Sequence, residues 1–383
     1  MIVPFPSPWH GPFIQAAADC CGLGWTVAAD ADAAAVARAL SLVNNDACYD
    51  TLVAAGQAAG AAQVVGAAAG GAVPVGVVQL CHRCRAADKP YLLQEALLRS
   101  GCGEAHPVPL LEAMGRPGFM DPSAQCHLAA AVAAADALLQ MRLRLRPHVP
   151  SARLTYFDAV MASWRERSLA AVAFQPSFDV GVLMENLDSE AGRLFGAKRT
   201  SRPIVGVVGP ASALFNPVVN GGLVDVLEAE GCEVRLPYLA SLMALAMEAQ
   251  GIHSAFSEEL DRLCLQASQA FAVIPGAAYG PNVRECGARF APAPLSRGLG
   301  NAVAGLMVQL LQQGIDDIVY AGHFGCLSGH VGAAGVLGPL RRAYPRANIA
   351  AVEYDPGTSS LNQVNRLKLL ASIAWQKQEG EGL

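Results

Sequence analysis

The 383-residue chain carries 27 basic and 32 acidic residues, a net charge of −5, with 53% apolar and 15% charged residues. That balance excludes intrinsic disorder and supplies apolar surface enough for two ordinary cores. The slight acidity, with no stripe of Lys and Arg, excludes a nucleic-acid-binding surface.

In chain order, residues 2–5 read as a first strand, and Pro12 opens a helix that runs toward Cys21. Residues 25–28 read as a second strand, and Asp30 or Asp32 caps a helix ending near Leu40. A polar loop holding Asn44, Asn45 and Cys48 leads into a stretch, residues 52–80, without a single charge. Its Ala and Gly content and the Gly70-Gly71 break favour a helix over 51–69 and a buried strand over 73–78, not a membrane span. A cysteine loop follows, then a helix over 88–99 stopped by Gly101, then a strand over 106–110. Residues 124–145 are helical, and their closing Arg142, Arg144 and Arg146 suit a helix C-terminus. Helices over 151–171 and 178–194 form a connector, and residues 198–203 read as an exposed linker.

The second half repeats the alternation. Strands are expected over 204–208, 233–236, 318–321 and 348–354, with helices over 221–230, onward through 271, over 295–313, 331–344 and 359–376. Gly322, His323 and Gly325 are expected to break the third of these strands, and Asp355-Pro-Gly-Thr to turn into the last helix. Asn362 and Asn365 read as residues that fix that helix. The fold class is therefore α/β, with two doubly wound, Rossmann- or flavodoxin-like parallel sheets. The expected units are residues 1–145, carrying Cys48 and Cys84, a helical connector over 146–202, and residues 203–383, carrying Cys326.

Eleven cysteines in such a chain, with no basic region ahead of the first strand, predict thiols or metal ligands in a reducing cytoplasm and no export signal. Cys48, Cys84 and Cys326 share a setting: each sits on a loop beside a helix start, where backbone N–H groups favour a thiolate. Thiolates hold iron–sulfur clusters, so these three read as cluster ligands. The plain alternative is buried structural cysteine. Cys81-His-Arg-Cys84 also has zinc or redox spacing, without a second such pair. His10, His323 and His330 flank strand ends as acid–base candidates, with His323 and His330 preferred. Ser212 is not in a nucleophile elbow, and no ATP or dinucleotide motif is visible.

Several stretches together carry a resemblance. Val43-Asn-Asn-Asp-Ala-Cys-Tyr49, Gln79 through Arg85, Val205-Gly-Val-Val-Gly209 with Phe215-Asn-Pro217, Phe324-Gly-Cys-Leu327 and Glu353 through Lys368 look like the 2-hydroxyacyl-CoA dehydratase family. The nearer likeness is to its branch associated with CoA-enzyme activase modules. The resemblance implies a 4Fe-4S cluster, or a double-cubane relative of it, held by Cys48, Cys84 and Cys326. Asn44, Asn45, His323 and His330 are candidates for hydrogen bonds around that cluster. It also implies an acyl-CoA thioester substrate and a homo- or heterodimer. Single electrons would come from an ATP-hydrolysing iron–sulfur activator protein, which suits a chain without a nucleotide motif. Departures are Asp50 where relatives carry proline, Ser328-Gly329 where they carry Pro-Asn, and Cys81-His82 where they carry glycines. Cys81 is thus a candidate fourth ligand. The alternatives are a non-catalytic electron-transfer or docking subunit, a double-cubane-type reductase, and a zinc-binding or cofactor-free module.

Overall fold

The computed structural model describes residues 1–69, 73–81, 84–102, 106–174, 178–196, 200–268, 282–291 and 299–381. Eight strands form two four-stranded sheets, every pairing parallel. The first holds β1 (Ile2–Val3), β2 (Thr26–Val27), β3 (Pro74–Val77) and β4 (His106–Pro109), in the order β2-β1-β3-β4. The second holds β5 (Ile204–Val208), β6 (Glu233–Arg235), β7 (Asp317–His323) and β8 (Asn348–Tyr354), in the order β6-β5-β7-β8. The two sheets therefore share one winding, and the expected α/β class with two parallel sheets is what the chain adopts. In each, the winding reverses between the two central strands: β1 and β3 in one, β5 and β7 in the other. The crevice beyond the carboxyl ends at such a reversal is where open α/β sheets bind ligands.

Local chemistry explains most boundaries. Helix Gly11–Cys20 opens with Pro12 in its first turn. Helix Ala33–Leu42 is capped by Asp32, whose carboxylate accepts the Ala35 N–H at 2.7 Å. Helix Lys89–Arg99 ends ahead of Gly101, which lies at φ 74°. Asp355 accepts the Gly357 N–H at 2.9 Å and so turns the chain toward helix Ser360–Glu381.

Two expectations need correction. β7 does not break at Gly322 and His323: both stay in register, opposite Glu353 and Tyr354. The ladder with β8 outweighs the weak strand preference of glycine. The helix beyond Cys326 starts at Leu327, earlier than expected. It is also not continuous: Leu327–Gly332, a 3₁₀ turn Ala334–Val336 and Leu337–Ala343 replace it. Gly332 and Gly335 lower helix propensity there. The expected linker over 198–203 and the expected helix ends near 271 and 295 lie partly outside the described residues. Of that linker, Thr200 and Ser201 are exposed and Pro203 is buried.

Helix Pro122–Leu145 is the hub. Apolar on all sides, it is buried on all sides. It packs on helices Gly11–Cys20, Leu154–Phe174 and Val180–Phe195, and also on Leu239–Gln250, Ala255–Ser268 and β6. It therefore serves both halves of the chain. The segment 122–148 is the one described helix long and apolar enough to cross a membrane, and 89% of its most apolar window is buried within the protein.

A buried aspartate in this helix joins the halves. Asp136 receives the Leu239 and Ala240 N–H groups at 2.8 and 2.9 Å, at the start of helix Leu239–Gln250. Its Oδ1 also lies 3.1 Å from His10 Nε2, whose other ring nitrogen is 2.7 Å from Ser7 Oγ. The closing arginines do more than complement a helix dipole. Arg142 and Arg146 pair with the buried Glu228 at 3.4 and 2.5 Å, and His148 pairs with the buried Glu233 at 2.9 Å. Replacing Asp136 by Ala strands two N–H groups and one imidazole in the core. We expect a loss of roughly 3–5 kcal/mol in denaturant unfolding, with Asp136→Asn intermediate because it keeps one acceptor.

Candidate metal centre

The loops at the carboxyl ends of the central strands meet. Pro6 follows β1; Val78, Leu80, Cys81 and Cys84 follow β3; Pro210 and Ser212 follow β5; His323 ends β7 and Cys326 follows it. All of these line one cavity, and Cys48 and Asp50 complete its wall. The cavity thus sits where the winding of both sheets reverses, between the two halves of the chain.

Three of its cysteines occupy the same local position. Cys48 O accepts the Thr51 and Leu52 N–H groups that open helix Tyr49–Ala69. Cys84 precedes the 3₁₀ turn Arg85–Asp88, and its carbonyl accepts the Ala87 N–H. Cys326 precedes helix Leu327–Gly332, and its carbonyl accepts the His330 N–H. Each stands where Ser or Asp usually caps a helix. Cys84 and Cys326 both line the cavity. Cys81 joins them from the end of β3.

Burial governs these thiols. It pushes Cys48 up to about 12, with the Asp50 carboxylate and the Cys326 sulfur adding to the effect. It pushes Cys81 far above the ordinary thiol range, with Cys326, Cys84 and Asp50 adding to the rise. It raises Cys84 as well, and Cys326 and Asp50 act in the same direction. Without a cation among them these sulfurs stay protonated, because several thiolates in one dry cavity repel.

The surrounding polar groups are tied together. His323 Nδ1 lies 3.6 Å from Cys48 Sγ, and its Nε2 lies 3.2 Å from Ser212 Oγ. Burial lowers His323 to about 4, against the pull of Asp50, so the imidazole is neutral at ordinary pH. A neutral imidazole beside a neutral thiol is not the ion pair of a cysteine nucleophile. Lys89, itself buried, pairs with Asp50 and reaches the Val78 carbonyl at 3.3 Å. Burial raises the Asp50 carboxyl, but the Lys89 ammonium, His323 and the Lys89 and Ser212 hydrogen bonds outweigh it and hold Asp50 below the ordinary carboxylate range. Arg85 straddles the two halves: it donates to the Asp46 carbonyl at 2.9 Å and to the Phe324 carbonyl. Gly325, at φ 65°, leaves room for that guanidinium.

Of the residues expected from sequence, Cys48, Cys81, Cys84, Cys326 and His323 come together. Asn44 and Asn45 do not: both are exposed, and Asn44 Oδ1 accepts the Asp46 N–H. His330 is half exposed, faces Glu353 at 3.4 Å and does not line the cavity. His82 lies outside the described residues. Asp50, Arg85, Lys89 and Ser212 were not expected as wall residues. Nothing in the local sequence singled out Lys89. Ser212 was read only against a nucleophile elbow.

Among the described residues, no group of three or more His, Cys, Asp or Glu side chains converges to hold a single metal ion. Four thiols bordering one cavity instead suit a group whose metal atoms stand at separate corners. The donor chemistry fits such a cluster: soft sulfur ligands, buried, beside helical N–H groups. The cavity leaves about 30 Å³ of free space among these side chains. No protein-family model matches the chain, and the search of curated proteins found no match.

Proposed function

We propose that the chain is an iron–sulfur protein resembling a 2-hydroxyacyl-CoA dehydratase subunit, with Cys48, Cys84 and Cys326 as ligands of a 4Fe-4S cluster. The observation that carries this reading is the convergence of cysteines from both sheets on one cavity at the carboxyl ends of the central strands. When bound, such a cluster supplies single electrons at low potential, suited to radical dehydration or reduction of a CoA thioester. The electrons would come from a separate ATP-hydrolysing iron–sulfur activator.

The protein's own residues have clear tasks in this scheme. Ser212 and Cys48 fix the His323 ring from both nitrogens. Lys89 keeps Asp50 ionised at the cavity wall without a free charge facing the thiols. Arg85 clamps the loop of Cys48 to the loop of Cys326, so the ligands from the two halves hold one spacing. All eleven cysteines are free thiols, which suits a reducing cytoplasm.

One observation favours a second reading. Cys81 lines the same cavity and offers a fourth protein thiol. Four protein ligands leave no iron for substrate, and the chain would then pass electrons onward as an electron-transfer or docking subunit.

Protein purified without oxygen is expected to carry about four irons and about four acid-labile sulfides per chain, with a broad thiolate-to-iron absorption band. Well-folded protein free of iron overturns the proposal, and about eight irons favours the double-cubane type. Cys326→Ser should lose the band, whereas Cys232→Ser, buried against Asp317 and remote from the cavity, should keep it. Cys81→Ser separates the two readings: retained iron supports an open site, and loss of iron supports a fourth ligand. Addition of an ATP-dependent activator should bleach the band only in the presence of ATP.

A further inference from the structure

Tyr320 lies in the middle of β7 and is 1% exposed, at a position where an apolar side chain would serve the core. A buried phenol is costly unless its hydroxyl finds a partner. Tyr354, equally deep, leaves its hydroxyl without one, whereas the Tyr320 hydroxyl is not among the buried unpartnered groups. Its direction is set by two glycines. Gly322, two residues on and so on the same face of the strand, lies under the ring: a Cβ there would fall 2.5 Å from the ring and hydroxyl. Gly329, in the first helical turn after Cys326, lies against the tip: a Cβ there would fall 2.0 Å from the hydroxyl oxygen. The phenol therefore leans along β7 toward its carboxyl end and stops beneath the cysteine loop. Its hydroxyl meets the Cys326 sulfur there and lies near Cys81.

We propose that Tyr320 is a positioning residue for Cys326: its phenol O–H donates a hydrogen bond to the Cys326 sulfur and, in the metal-bound protein, tunes that sulfur as a ligand. The inference rests on the iron–sulfur reading above. It also accounts for Gly322 and Gly329, which keep the space the hydroxyl needs. A hydrogen bond to a ligand sulfur stabilises the more negative, reduced state of an iron–sulfur group.

The test compares wild type with Tyr320→Phe, which keeps the ring and removes the donor. Iron content should be unchanged, and the midpoint potential of the iron chromophore should move to a more negative value. The shift of the iron–thiolate Raman bands in heavy water should shrink. An unchanged potential with unchanged Raman bands overturns the inference while leaving the iron–sulfur reading intact. If wild type holds no iron, that reading fails on its own. Alkylation of the iron-free protein by iodoacetamide, read by mass spectrometry, then decides. The rate at Cys326 should fall severalfold in Tyr320→Phe, with Cys102 as the unaffected reference. Equal rates at Cys326 overturn the hydrogen bond. Should Tyr320→Phe fold poorly, Gly329→Ala offers a second probe: it drives a methyl into the hydroxyl and should shift the same readouts with the phenol still present.

Discussion

The carboxylate of Asp136 fixes how the two sheets face each other. It is a fully buried polar group in the middle of an alanine-rich helix. Such a group persists only where donors surround it. Here those donors come from both sides: His10 from the loop after β1, and the Leu239 and Ala240 amides from the unit beyond β6. Helix Pro122–Leu145 therefore cannot slide or rotate against either half without stranding a buried polar group. Glu228 and Glu233, clamped by Arg142, Arg146 and His148, lock the far end of the same helix. With the sheets held in this relation, the loops beyond the central strands of both point into one space. The cavity is a consequence of that docking, since neither half supplies all four cysteines.

Much of this was legible in the sequence. Strands of the buried type announce themselves as short apolar runs, and β5 and β8 fall where those runs predict. Proline, glycine and aspartate mark the helix ends. The cysteine loops were recognisable because Cys48, Cys84 and Cys326 sit between a strand or loop signal and a helix start. What stayed hidden depends on contacts far apart in the chain. β7 extends through Gly322 and His323 because β8 is beside it, and nothing local says so. Ser212 and Lys89 become wall residues only after the strands that carry them are placed. Asn44 and Asn45 belong to the right motif, but the turn that presents Cys48 inward puts them outward.

The electrostatics of the cavity follow from the same docking. Four sulfurs line it, and two cations beside it, Lys89 and Arg85, are committed. Lys89 pairs with Asp50, and Arg85 is spent on two carbonyls. Burial pushes the Cys48, Cys81 and Cys84 thiols upward, so without a cation they stay protonated. In the proposed reading a cluster would bring the positive charge that lets these sulfurs ionise. Arg85 links the Cys48 and Cys326 loops through backbone carbonyls rather than through the sulfurs.

Cys81 then separates catalysis from transfer by geometry. Cys48, Cys84 and Cys326 each open a helical turn, and their sulfurs share the favourable field of its N–H groups. Cys81 has no such turn; it follows β3, and burial pushes its thiol far above the ordinary range. In the proposed iron–sulfur reading, Cys48, Cys84 and Cys326 would hold the group, and Cys81 would decide its use. Without Cys81 as a ligand, the neutral His323 and Ser212 would offer hydrogen-bonding partners to a substrate oxygen; with Cys81 as a ligand, only electrons would pass.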